Sequence, residues 1–191
     1  MASPKTLKDR LISRAGSVRR AEMVLEEVRL VTGVTGESDE NCLAALGLMR
    51  LGMDPASVAM DVTWQEFESL CAGILRASGY RVRKSVMLKR PRRQIDIIAE
   101  SATLGLSIDC KHWKNSPAVS SLSGLVEAQV QRTLLYKRDS KLIGDGLPIL
   151  PMLLTLLDSQ TRVVDDVPVV PIILLRDFLL NLSRYDDFAF L

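Results

Sequence analysis

The sequence predicts an α/β fold in which a mixed β-sheet is flanked by helices, with a small N-terminal helical appendage. Two observations support this prediction. Apolar residues recur at helical spacing through residues 1–60, whereas strand-like and helical segments alternate through residues 61–191. The last two strand-like segments are continuous apolar runs, which is typical of strands covered on both faces. We therefore divide the chain into a helical region of unknown role, residues 1–60, and an α/β domain, residues 61–191.

Two helices are predicted in the N-terminal region. Apolar residues from Val18 to Val31 keep helical spacing, and Gly33 is placed to end that helix. A second helix is predicted from Ser38, as its cap, to Leu51. The region carries 8 basic and 8 acidic side chains and no recognisable motif, so the sequence assigns it no function.

The α/β domain is predicted to begin with a helix and three antiparallel strands. Thr63 and Glu66 have the spacing of a capping box, and Gly79 is placed to end the helix. Three strand-like segments follow, with a turn around Pro91 and a break at Gly105. They are RVRKSVML, QIDIIAE and LSIDCKHW.

The second half of the domain is predicted as helix, strand, strand, helix. The helices are SSLSGLVEAQVQRTLLYKR and LLRDFLLNLSRY, and the strands are LPILPMLLTLL and VPVVPII. The apolar strands fit the middle of a mixed sheet, because such a position is covered on both faces.

Composition excludes several classes of protein. Three widely spaced cysteines (Cys42, Cys71 and Cys110) and a single histidine (His112) argue against a disulfide framework or a Cys/His zinc site. The uncharged apolar runs of residues 147–157 and 167–175 have 11 and 9 residues, well below the roughly 20 that a membrane-spanning helix needs. The charged beginning of the chain does not resemble a signal peptide. We expect a cytoplasmic protein that does not enter a membrane.

Three acidic side chains and a lysine are candidates for chemistry. Asp96 lies inside an apolar strand, where a charge is costly without a partner or a metal. Asp109 and Lys111 are two residues apart on the next strand and therefore share one face. Adjacent strands can bring Asp96 beside Asp109, and the preceding helix can bring Glu68 above both. Such carboxylates suit Mg²⁺, and the lysine can orient a water molecule.

The segments EFESLCAGILRASGY, IDIIAE and IDCKHW resemble the core of the PD-(D/E)xK nuclease superfamily, particularly the Mrr-type restriction endonucleases and the archaeal Holliday-junction resolvases. The resemblance covers residues 61–180. Two differences are Gln94, where a small residue is usual, and an Asp-x-Lys motif, where the nearest relatives usually carry Glu-x-Lys or Gln-x-Lys.

The resemblance implies a restriction-endonuclease-like core and a metal-dependent DNA endonuclease acting in repair, recombination or restriction. The implied catalytic residues are Glu68, Asp96, Asp109 and Lys111. Glu68, Asp96, Asp109 and the backbone carbonyl of Cys110 would hold Mg²⁺, with Mn²⁺ as a substitute. A homodimer is implied as well, and the apolar tail is a candidate contact surface through Phe178, Phe188 and Phe190.

The alternative function is a catalytically silent DNA-binding or scaffold subunit with the same fold. The intact quartet argues against it, because an inactive protein has no reason to keep two buried acids and a lysine.

A basic hairpin adjoins the Asp96 strand. It carries seven cations and no acid within 13 residues, namely Arg81, Arg83, Lys84, Lys89, Arg90, Arg92 and Arg93. Because like charges repel, we expect phosphates of duplex or branched DNA to lie against them.

Other polar residues have two interpretations. Gln129 and Gln131 are either DNA contacts or only the polar side of a helix, and we include Gln129 among the DNA-binding candidates. Glu66 is expected to serve the capping box and Cys110 to be a buried apolar residue. His112 is expected at the surface or against substrate.

Overall fold

The computed structural model describes residues 6–35, 39–113, 119–138, 147–158, 161–182 and 188–191. Seven helices lie in these ranges: α1 (Leu7–Ala15), α2 (Val18–Thr32), α3 (Glu40–Arg50), α4 (Pro55–Ala59), α5 (Trp64–Ala77), α6 (Val119–Arg138) and α7 (Leu175–Asn181). A 3₁₀ turn, Ile172–Leu174, leads into α7. Six strands lie in the same ranges: β1 (Arg81–Lys89), β2 (Arg92–Glu100), β3 (Gly105–Lys111), β4 (Ile149–Thr155), β5 (Val163–Val164) and β6 (Val167–Pro171).

The strands form one mixed sheet in the order β1-β2-β3-β4-β6-β5. The first three strands are antiparallel, β3, β4 and β6 are parallel, and β5 runs antiparallel to β6. Helix α6 makes the crossover between β3 and β4, which two parallel neighbours require. The predicted α/β fold with a mixed sheet flanked by helices is confirmed, and it is consistent with a restriction-endonuclease-like fold.

Helix α5 covers one face of β2 and β3. The Thr63 hydroxyl accepts from the Glu66 N–H, and the Glu66 carboxylate accepts from the Thr63 N–H, so the predicted capping box is confirmed. The apolar stripe of α5 joins the side chains of Ile97, Ile108 and Cys110 in the core. Packing of this stripe positions α5 against the strands that carry the acidic residues.

The N-terminal helices pack on the α/β domain, and residues of both belong to one buried cluster. At Gly47 on α3, a Cβ atom would lie only 3.2 Å from Cγ1 of Val24 and 3.3 Å from Cδ1 of Leu11, so α1, α2 and α3 approach closely at a residue without a side chain. Arg176 on α7 donates to the Leu30 carbonyl and thereby links α7 to α2. The division at residue 60 stays a prediction.

Helices α1 and α4 are absent from the prediction, and the elements that were predicted differ from the structure mainly at their ends. The two-residue strand β5 is missing from the prediction, because a pair of valines beside a turn leaves no periodic signal. Gly105 is the first residue of β3 and not a break. Helix α3 begins at Glu40 with Asp39 in the cap position, and the predicted cap Ser38 lies outside the described residues. In the part of the chain described, no helix combines the length and apolar character needed to cross a membrane.

A buried carboxylate ties the sheet to α6 on its other face. Glu100 accepts from Arg81 at 2.7 Å and from Arg83 at 2.8 Å, and the Tyr136 hydroxyl donates to it at 3.3 Å. Burial alone would raise the pKa of Glu100, but the two guanidinium groups outweigh it and lower the pKa. The ionised carboxylate therefore stabilises the fold.

We expect Glu100→Gln to lower the free energy of unfolding by about 1.5–3 kcal/mol at pH 7, since hydrogen bonds to a charged group are removed. Because the folded pKa of Glu100 is lowered, its contribution is complete above the unfolded pKa of about 4.3 and is lost as the pH falls through the folded pKa. Urea titrations from pH 3 to 7 should therefore show the difference from wild type shrinking below about pH 4. Glu27→Gln, which removes an exposed pair with Arg50, is the matched control. A difference that does not change with pH would contradict this assignment.

Candidate functional site

The site lies where β2 separates from β3. The ladder between them runs from Glu100↔Gly105 to Ile97↔Ile108. At the next step the Asp96 carboxylate accepts from the Cys110 N–H, with Oδ2 at 2.8 Å from N. A side chain thus bonds a strand N–H where the backbone ladder has ended.

The alternation of side chains along β2 is interrupted near Asp96, so that residues two positions apart point to opposite faces of the sheet. Ile97 packs with the α5 cluster, whereas Ile95, with the same parity, packs with the cluster under α6. Opposite Asp96 in the register stands Ser85, whose φ of 52° lies in the left-handed region that non-glycine residues rarely adopt. This irregular backbone sets the direction of Asp96, as bulges near active sites commonly do.

Asp109 and Lys111 lie on one face of β3, as predicted. The Lys111 ammonium is 2.7 Å from Oδ2 of Asp109. Burial, followed by the charge of Asp109, raises the pKa of Asp96 to about 6, against the lowering effects of the Cys110 N–H and Lys111. Asp96, Asp109 and Lys111 therefore form one electrostatic group, in which two carboxylates repel each other.

Arg132 on α6 completes this group and is absent from the sequence-based candidates. Its Nη2 lies 3.2 Å from Oδ1 of Asp109, and its Nε donates to Oε1 of Gln129 at 2.9 Å. The signal in the sequence is a polar stripe at positions i, i+3, i+4 and i+7 of α6, made of Gln129, Arg132, Thr133 and Tyr136.

Gln129, a predicted DNA contact, is completely buried. Its Nε2 donates to the carbonyl of Ser107 at 2.7 Å and to the hydroxyl of Ser107 at 3.0 Å. In this conformation the side chain links α6 to β3 and holds Arg132, so a direct contact with DNA stays a prediction. The other helix candidate, Gln131, is exposed.

Glu68 is a buried side chain of α5. Its Oε1 is 3.7 Å from Nζ of Lys84. Among the described residues, no group of three or more His, Cys, Asp or Glu side chains is placed to hold one metal ion. Glu68 therefore does not join the aspartate pair as a third ligand in this conformation, and its role stays a prediction.

The three cysteines are buried thiols. A hydrogen bond with Cys71, burial, and the carboxylates of Asp96 and Glu68 raise the pKa of Cys110, and burial chiefly raises the pKa of Cys42. Protonated, buried thiols are poor nucleophiles, which agrees with the expectation that Cys110 is a buried apolar residue.

The basic hairpin is divided into two groups. Arg81 and Arg83 bond Glu100, and Lys84 lies near Glu68, so these three have carboxylate partners within the protein, and their contact with DNA stays a prediction. The other four are exposed at the turn between β1 and β2, and no described carboxylate lies within ion-pair distance of them. We call Lys89, Arg90, Arg92 and Arg93 the hairpin-tip cations.

The remaining candidates lie outside this group, and the Nε2 of His112 is buried without a hydrogen-bond partner among the described residues. Asn41 on α3 donates to Glu66 at 2.9 Å, which adds to the capping box, and the His112 ring lies 6.2 Å from that of Phe67. Phe178 and Phe188 pack against each other with ring centroids 5.8 Å apart, and Phe190 is partly exposed.

The carboxylates of Asp96 and Asp109 are of the kind that binds Mg²⁺. This ion commonly takes one or two protein carboxylates and completes its shell with water and phosphate oxygens. Asp96 and Asp109 supply two carboxylates at the opening between β2 and β3, and a cation there would relieve the repulsion that raises the pKa of Asp96. The residues present therefore fit such an ion.

Comparison with known proteins identifies the class. The family model Mrr_cat, described as a restriction endonuclease, matches residues 59–138, the stretch from the end of α4 through α6. This match confirms the resemblance, since residues 59–138 are similar to Mrr-like proteins of the PD-(D/E)xK nuclease superfamily. Proteins of this family generally use divalent metals, and a nuclease domain implies DNA as substrate. No curated protein and no solved structure gives a significant match to the chain.

We expect Asp96→Asn to raise the melting temperature in a metal chelator. Because the folded pKa of Asp96 is raised to about 6, its ionisation destabilises the fold progressively from the unfolded value near pH 4 up to about pH 6, and constantly above that. After allowance for solvent screening, the gain is about 1 kcal/mol at pH 8, or roughly 2–4 °C. Thermal melts at pH 4 and pH 8 measure it. A variant that is less stable than wild type at pH 8 would contradict the repulsion.

Proposed function

We propose that the protein is a metal-dependent DNA endonuclease that hydrolyses phosphodiester bonds. The observation that carries this proposal is the grouping of Asp96, Asp109 and Lys111 where β2 separates from β3, in an Mrr-like domain. Two carboxylates at an opening in the sheet, with an ammonium group at 2.7 Å from one of them, match the needs of phosphodiester hydrolysis.

Each residue has a distinct task in this proposal. Asp96 and Asp109 hold a divalent cation, Mg²⁺ by preference and Mn²⁺ as a substitute, together with the Cys110 carbonyl. The bound cation supplies Lewis-acid polarisation of the phosphate and lowers the pKa of water. Lys111 orients the attacking water and offsets charge on the phosphate. Glu68 acts from the α5 side as a further acidic residue of the site.

DNA binding is assigned mainly to the hairpin-tip cations. Their exposure and the lack of a described carboxylate nearby suit contacts with the phosphate backbone of duplex or branched DNA. Arg81, Arg83 and Lys84 already lie near protein carboxylates, so they are expected to contribute less to DNA affinity.

A homodimer in the cytoplasm, acting in repair, recombination or restriction, completes the proposal. Two subunits would cut both strands of a duplex. The partly exposed Phe190 and its neighbours Phe178 and Phe188 are the proposed contact surface.

One observation favours the alternative, a catalytically silent DNA-binding or scaffold subunit. Asp109 already has two cationic neighbours, Lys111 and Arg132, as a purely structural ion-pair group would. The two functions differ in metal dependence and cleavage, which a single set of variants separates.

We expect magnesium-dependent cleavage of DNA that a chelator abolishes and Mn²⁺ restores. Asp109→Asn and Lys111→Met should each lower kcat by roughly 10²–10⁴-fold, because the metal and the attacking water lose their positions. Gel assays on linear duplex, single-stranded, flap and four-way-junction DNA measure this effect. Asp158→Asn at the surface is the matched control. Wild-type protein that binds these DNAs but cuts none of them in either metal would favour the silent subunit.

We expect replacement of all four hairpin-tip cations by alanine to weaken binding to every DNA sequence alike. The salt dependence of binding should fall by a slope of about 0.9 for each phosphate that the protein no longer neutralises. Fluorescence anisotropy at several salt concentrations measures the slope, and Arg19→Ala with Arg20→Ala, two exposed cations of α2, is the control. An unchanged slope would show that the hairpin-tip cations only face solvent.

A further inference from the structure

Arg132 is held at the site by a chain of buried hydrogen bonds. Ser107 on β3 and Gln129 on α6 are both fully buried, and Gln129 donates to Ser107 at 2.7 Å and 3.0 Å. The Thr133 hydroxyl donates to the Ser107 hydroxyl at 2.8 Å, which fixes α6 at the same point of β3. The oxygen of the Gln129 amide then accepts from Nε of Arg132 at 2.9 Å. The guanidinium therefore has a fixed position relative to Asp109.

The two ends of the Asp109 carboxylate face different cations. Oδ1 lies 3.2 Å from Nη2 of Arg132, and Oδ2 lies 2.7 Å from Nζ of Lys111. Nevertheless, Nη2 of Arg132 and Oδ2 of Asp109 are buried and complete no hydrogen bond of ordinary geometry with any described residue. A buried donor and a buried acceptor of this kind are costly unless a ligand satisfies them. An anion would satisfy Nη2, and a cation would satisfy Oδ2.

We propose that Arg132 is a phosphate-contacting residue that balances the charge of Asp109 before a metal binds and pairs with the scissile phosphate after the metal has bound. This inference rests on the proposed function and assigns the phosphate site within it. Arginine suits this task, because it remains charged and its planar group presents several donors to phosphate oxygens. The buried support from Gln129 keeps the group in place at little entropic cost.

If Arg132 has this role, removal of its charge should change metal binding and DNA binding in opposite directions. A fixed guanidinium beside Asp109 repels a divalent cation, so its removal should strengthen metal binding. The same removal should weaken the binding of DNA whose phosphate reaches the metal, since one charged hydrogen-bond donor is removed. A residue with only a structural role would weaken both when it is removed, because the site would lose its shape.

The test uses the full chain with Arg132→Met, which keeps much of the side-chain volume and removes the charge. Mn²⁺ binding without DNA, measured by electron paramagnetic resonance, should become about 3–10-fold tighter. Duplex DNA binding in Ca²⁺, measured by anisotropy, should become about ten-fold weaker, with a smaller loss in chelator. Gln129→Leu should shift both values in the same directions but less, and Ser123→Ala, on the exposed side of α6, should shift neither.

The outcomes separate this inference from the proposed function. Unchanged or weaker Mn²⁺ binding in a folded Arg132→Met protein would overturn the inference, even if the wild type cuts DNA. Tighter Mn²⁺ binding together with weaker DNA binding in Ca²⁺ would support it, even if the wild type cuts no DNA in Mg²⁺, a result that would instead refute the nuclease activity. A melting curve for each variant verifies that the protein tested is folded.

Discussion

The site depends on one hydrogen bond, from the Cys110 N–H to the Asp96 carboxylate. The backbone hydrogen bonds between strands β2 and β3 extend from Glu100 and Gly105 as far as the pair Ile97 and Ile108. Beyond that pair the Asp96 side chain accepts the next strand N–H, with 2.8 Å between the Cys110 nitrogen and Oδ2 of Asp96. A strand N–H left unpaired in a partly buried position would be costly. The carboxylate therefore allows β2 and β3 to separate without that cost, and the proposed metal site lies where they separate.

Charge in this protein is arranged in two layers. An inner layer pairs buried carboxylates with fixed cations, Glu100 with Arg81 and Arg83 and Asp109 with Lys111 and Arg132. An outer layer, the hairpin-tip cations, is exposed and has no described carboxylate within ion-pair distance. The inner layer holds geometry, because its carboxylates, Glu100 and Asp109, are buried and therefore poorly screened by salt. The outer layer is suited to diffuse attraction of a polyanion.

The N-terminal helices contribute to the site indirectly. Asn41 on α3 bonds the Glu66 carboxylate that caps α5, and the close approach at Gly47 holds α3 to α1 and α2. Helix α5 in turn packs on Ile97, Ile108 and Cys110, which flank the two aspartates in sequence. The position of the acidic strands thus rests on a core that includes both parts of the chain.

The sequence by itself determined the order of the longer helices and strands from α5 to α7, the capping box at Thr63, and the placement of Asp109 and Lys111 on one face. These features are local, since they follow from helical periodicity, strand alternation and residues three or four positions apart. Tertiary structure decided the rest. Only the packing of α6 brings Arg132 to Asp109 and buries Gln129, and only the irregular backbone at Ser85 changes the faces of the hairpin. Likewise, Glu100 accepts from two cations of the hairpin because the strand register places residues nineteen and seventeen positions apart in sequence side by side. Periodicity cannot reveal such contacts, because they depend on how separate elements pack and not on the pattern within any one of them.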